Sequence, residues 1–122
     1  MLTINDKIAP TWFPVQSDDP PPAEFLLAPL SPVAFLDVRN ECEFSEGGSF
    51  TISGRGVICA VRDSVRDWRN VANAKHEQLP FNRRTLDDLP WDVLLNLAVE
   101  IVKRSVLSEI ERKNLYSPST SG

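Results

Sequence analysis

Pro90-Trp91-Asp92-Val93-Leu94-Leu95-Asn96-Leu97-Ala98-Val99-Glu100-Ile101-Val102-Lys103-Arg104-Ser105-Val106 decides the fold. Trp91, Leu94, Leu95, Ala98, Ile101, Val102 and Val106 recur at steps of three and four, the period of a helix with one apolar face. Pro90 suits a helix start, where its missing N–H costs nothing. The spacing predicts a helix over 90–106. Just before it, Thr85 is expected to cap a short turn, Leu86-Asp87-Asp88-Leu89, whose acids favour the positive helix end. A face this wide needs a partner of the same kind.

Val57, Ile58, Val61, Val65 and Trp68 supply that partner. They form one stripe at helical spacing, and Ser53 is placed to cap the free amides at its start. The pattern predicts a helix over 53–68, with Val57, Val61, Val65 and Trp68 facing Leu94, Leu95, Ala98, Ile101 and Val102. A third helix is expected over 32–43, opened by Ser31-Pro32 and carrying Val33 and Leu36. Gly47-Gly48 ends it. Ser49-Phe50-Thr51-Ile52 reads as a short extended piece or the lead-in to the next helix.

Upstream the pattern changes. Thr11-Trp12-Phe13-Pro14-Val15 is aromatic and β-branched, but Pro10 and Pro14 deny ladder donors and confine it to a sheet edge. Residues 16–22 are a polar, proline-stiffened connection, and Glu24-Phe25-Leu26-Leu27-Ala28 reads as a second strand. Val71 and Leu79–Phe81 suggest a small hairpin in the polar stretch 69–82. The expected class is α+β: a small N-terminal antiparallel sheet packed with about three main helices in a single domain, 1–116. A last short helix is expected from Ser108, and 117–122 as a flexible tail.

Composition excludes much. The chain has 122 residues, 42% hydrophobic and 25% charged, with a net charge of −4. Its length suits one core able to bury about two-thirds of the unfolded surface. Its acidity argues against general nucleic-acid binding, which depends on neutralising phosphates. Apolar runs are too short for a membrane span, and the start lacks a signal-peptide pattern, so a soluble intracellular protein is expected.

Reactive groups are few. Cys42, Cys59 and His76 are too scattered for a zinc site, and the cysteines read as small buried hydrophobes. His76 sits in a polar loop, away from any nucleophile arrangement. Asp18-Asp19, Asp87-Asp88 and Glu41-Glu43-Glu46 lack calcium-loop spacing. Ser53-Gly54-Arg55-Gly56 lacks the lysine and hydroxyl residue that complete a phosphate loop. Arg55, Arg62, Arg66 and Arg69 lie broadly along one helical face, but Asp63 and Asp67 interleave with them as a mixed-charge surface. No catalytic residue, cofactor or metal is therefore expected, and the chain reads as non-enzymatic. Its informative excess is aromatic. Adjacent residues of a strand point to opposite faces, so one of Trp12 and Phe13 can enter the core while the other meets a partner.

The order of these features resembles the tail assembly chaperones of long-tailed bacteriophages. The likeness rests on Phe13-Pro14-Val15, Glu24 through Leu30, and Val65-Arg66-Asp67-Trp68-Arg69-Asn70-Val71. It continues through Leu79-Pro80-Phe81-Asn82, Leu86 through Leu89, and Leu107-Ser108-Glu109 to Lys113-Asn114-Leu115. It spans about Thr11 to Leu115. The polar turn after Trp68 often holds glycine in that family; here 70–78 has none, and Asn73 is the expected left-handed residue. The resemblance implies a chaperone that binds the phage tape measure protein and helps recruit tail tube protein in the host cytoplasm, then is absent from the mature virion. It also implies a possible longer frameshifted form, and self-association is open. The alternative is a structural virion protein, such as a head–tail connector or tail completion protein that assembles as a ring.

Overall fold

The computed structural model describes residues 10–15 and 21–107. The expected helix from Ser108, the tail 117–122, Asp18-Asp19 and the side chain of Val106 lie outside the described residues. Strand β1 (Thr11–Val15) pairs antiparallel with β2 (Ala23–Leu27), Phe13 opposite Phe25 and Trp12 opposite Leu26. Helix α1 (Pro32–Asn40), a small hairpin of β3 (Cys42–Phe44) and β4 (Phe50–Ile52), and α2 (Gly54–Ser64) follow. Strand β5 (Val65–Arg69) then completes a three-stranded sheet in the order β1-β2-β5. Helix α3 (Trp91–Val102) runs on into one π-helical turn over Lys103–Leu107. The architecture is α+β: three helices and a small antiparallel sheet sharing one core.

The helix starts follow their local chemistry. Ser31 accepts a hydrogen bond from the Ala34 amide and Pro32 occupies the first helical position, as Ser53 accepts from the Gly56 amide in α2. Thr85 does not cap in the expected way. It opens a 3-10 turn over Thr85–Asp88, and its hydroxyl donates backwards to the Asn82 carbonyl.

The second helix is shorter than its stripe predicts. Ser64 ends it because the Ser64 carbonyl is taken by the Ala28 amide at 2.8 Å, and the chain enters the sheet without a connecting loop. Between Leu26 and Leu27 the register on β5 jumps from Asp67 to Val65, leaving Arg66 as an extra, bulged residue. The bulge returns Val65 and Trp68 to the same side, both buried at a spacing of three. That spacing imitates a helix. Trp68 accordingly packs edge-on against Phe25 and Phe81, at centroid distances of 6.3 and 5.2 Å, and donates from Nε1 to the Leu79 carbonyl.

The first helix also stops earlier, at Asn40. Cys42–Phe44 is a strand rather than its last turn, and Phe44 faces Phe50 across the hairpin. Gly47 and Gly48 carry positive φ in the turn between them. The core joins Phe25, Leu27 and Val15 from the sheet to Val38, Val57, Val61, Leu94, Leu97 and Ile101 from the helices. Leu97 takes the buried position expected of Leu95, which lies outward. On α1 the inward residues are Ala34 and Val38, and Val33 and Leu36 point away. The small hairpin expected near residues 71 and 79 forms around an Ala72–Gln78 bridge and the Leu79 amide on the Val71 carbonyl. Its left-handed residues are Asn70 and His76, not Asn73. Asn73 acts instead through its side chain, whose oxygen accepts from the Lys75 and Glu77 amides.

Candidate partner-binding surfaces

The two expected anchor residues part company on β1. Phe13 turns towards the core and packs against it, with the Arg104 guanidinium 5.6 Å from its ring centre. Arg104 also donates to Glu100 and to the Thr11 hydroxyl, tying the edge strand to the end of α3. Trp12 takes the opposite sheet face beside Leu26, half-buried. The Arg69 guanidinium reaches across β2 to lie 4.1 Å from the Trp12 ring centre while donating to Glu24 at 2.6 Å. One face of the indole is thus covered by a cation held in place by a carboxylate. The free edge of β5 is blunted as well: the Trp68 amide bonds its own neighbour, the Asp67 carboxylate, at 2.8 Å.

The helical side presents a different surface. Val33 is 72% exposed, Leu36 56%, Trp91 51% and Leu95 37%. Val33 borders an open cleft of about 750 Å³ between α1 and α2, floored by Ile58 and Cys59. Ser31 holds the two helices together at one end, donating from its amide and hydroxyl to the Asp63 carboxylate at 2.8 and 3.0 Å. At the other end Ser53 donates to Glu41. The apolar floor between these clasps is left open.

The expected arginine stripe is divided by the end of α2. Arg55 and Arg62 remain on the helix and line the cleft, whereas Arg66 and Arg69 belong to β5. Asp63, one of the two acids expected to interleave with the arginines, is taken by Ser31. Arg62 instead makes a two-pronged pair with Asp87, which raises the guanidinium and holds the Asp87 carboxyl below its usual range. Burial pushes the Cys59 thiol up, and Asp37, Asp63 and Glu41 push it further; Cys42 is raised by burial and by Glu41. Neither thiol is fully enclosed.

His76 stands in the loop between Asn73 and Gln78, far along the chain from either cysteine. Among the described residues no three or more His, Cys, Asp or Glu side chains gather to hold a metal ion, and no helix is long and apolar enough to cross a membrane. The cleft was not legible in the sequence, because Val33 and Leu36 have the spacing of a core face. Ala34 and Val38, one turn apart, carried the competing signal. No protein-family model, curated protein or solved structure matches the chain.

Proposed function

We propose that the chain is a non-enzymatic tail assembly chaperone of a long-tailed bacteriophage. It keeps amphipathic segments of the tape measure protein in solution and helps recruit tail tube protein. The observation that carries this reading is the helical surface itself. The fold buries Val38, Val57 and Leu97 completely, yet leaves Val33, Leu36, Trp91 and Leu95 in water. Large apolar side chains left exposed on α1 and α3 suit surfaces that a partner covers. Trp12 offers a second apolar position on the outer sheet face, with Phe13 supporting it from the core side. The net charge of −4 favours solubility of the loaded complex.

This reading assigns the protein to the host cytoplasm and requires neither cofactor nor metal. Co-expression with the tape measure protein tests it. Soluble tape measure protein should co-purify with the chain, and mass spectrometry of finished particles should find the chain absent. Stoichiometric presence in particles would assign it to the structural virion proteins instead. Tape measure protein that precipitates equally with and without the chain would overturn the chaperone reading.

A further inference from the structure

We infer that Val65–Arg69 is a switch segment: when its pairing with β2 is released, it joins α2 as one continuous helix and uncovers the edge of β2 that it now covers. The burial of the segment suits both forms. Along β5 only Val65 and Trp68 are buried, three residues apart, whereas an unbroken strand alternates. At about 100° per residue, a helix sets Val57, Val61, Ser64, Val65 and Trp68 on one side. Arg62, Asp63, Arg66, Asp67 and Arg69 then fall on the other. The first five are all buried in the strand form, so apolar burial does not choose between the two.

Hydrogen bonds choose. No glycine or proline stands between Val57 and Leu79 to end the helix. The Val65 amide still donates to the Val61 carbonyl, as it would inside α2. A longer helix needs the carbonyls of Arg62 and Ser64 for the amides of Arg66 and Trp68. Both are taken: that of Arg62 by the Arg83 guanidinium at 3.2 Å, that of Ser64 by the Ala28 amide at 2.8 Å. The Trp68 amide is held by the neighbouring Asp67 carboxylate, a bond that needs no second strand. Beyond the segment, Asn70 has a φ of 63°, the left-handed conformation that closes a helix just past its last residue. The local stop signal therefore stands after Arg69, and what ends α2 at Ser64 comes from distant partners.

Carbon-13 saturation-transfer NMR on the full chain provides the test, because it reads the Cα shifts of a minor state at the percent level. Ser64→Ala with Arg83→Ala removes the Ser64 hydroxyl's bond to Ala28 and frees the Arg62 carbonyl. The double variant should show a minor state with helical Cα shifts from Val65 to Arg69. Its population should be at least about fivefold that in the unaltered chain, the equivalent of one net hydrogen bond. Adding Arg66→Gly should lower that population about threefold, because glycine disfavours a helix interior and suits a bulge. Melting curves verify folding. Arg83 is exposed, so Arg83→Ala alone is the milder variant and should move the population in the same direction. Random-coil shifts across Val65–Arg69 would mean that the segment frays instead of switching, and overturn the inference. A folded variant with no minor state overturns it as well, as does a population that Arg66→Gly leaves unchanged.

Discussion

The Ser64 hydroxyl, fully buried, donates to the Ala28 carbonyl at 2.6 Å while the Ala28 amide donates to the Ser64 carbonyl at 2.8 Å. This reciprocal pair fixes the point where α2 becomes β5 and joins it to the end of β2. Ser64→Ala should lower stability by about 1–3 kcal/mol, because the Ala28 carbonyl loses a partner in a site with little water. Urea unfolding measures the loss, and no change in midpoint would show that the hydroxyl is dispensable.

Two leucines of α3, two positions apart, should respond differently. Leu97 is fully buried, so Leu97→Ala should cost about 2–5 kcal/mol. Leu95 is 37% exposed, and Leu95→Ala should cost less than about 1 kcal/mol by denaturant titration. A reversed order would mean that α3 packs on the face the sequence stripe suggested.

The glycines at the start of α2 make a second contrasting pair. A methyl group at Gly56 would lie 2.8 Å from both the Glu41 Cβ and the Ile52 Cγ1, so the hairpin must move to admit it. At Gly54 the same methyl would meet only the Trp91 ring, at 3.7 Å. Gly54→Ala should therefore raise stability by about 0.4–1 kcal/mol through reduced freedom of the unfolded chain, and Gly56→Ala should lower it. Thermal melting of the two variants checks the signs.

Trp12 and Phe13 separate stability from binding. Phe13→Ala removes a ring packed on the core and should lower the melting temperature clearly. Trp12→Ala loses a half-exposed cation–ring contact of about 0.5–1 kcal/mol and should melt within a few degrees of the unaltered protein. If Trp12 serves the partner, its variant should retain less soluble tape measure protein while remaining folded. Full retention would remove the sheet face from the docking surface.

The raised thiols give a pH dependence with a definite sign. Folding favours the protonated form of Cys42 and Cys59, so their contribution to stability is complete below the unfolded thiol's titration and declines as pH rises through the folded one. Alkylation of the folded chain should reach its half-maximal rate at higher pH than alkylation of the chain in denaturant. Asp37→Asn should move Cys59 back towards an ordinary thiol without moving Cys42. A shift of both thiols together would point to altered folding rather than to that carboxylate.

Local chemistry made much of this fold readable. Ser31-Pro32 and Ser53 announce their helices, and Trp12 and Phe13 announce an extended segment with two faces. Strand β5 was hidden because the bulge at Arg66 sets Val65 and Trp68 three residues apart, which continues the period of α2 without a break. What distinguishes strand from helix there is a contact with Ala28, far away in the sequence. Val33 and Leu36 mislead for a related reason. Periodicity identifies a stripe, but the neighbour that covers a stripe is chosen by tertiary packing, and α2 lies over Ala34 and Val38.

The distant pairing of β2 with β5 orders events on the ribosome. When β1 and β2 have emerged, about 40 further residues must be made before Val65–Arg69 can close the sheet. A two-stranded ribbon is marginal in water, and Phe25 waits without Trp68. A chain interrupted anywhere before Arg69 exposes the unpaired edge of β2 and is prone to self-association. Premature termination of synthesis should therefore yield aggregates rather than a smaller working protein.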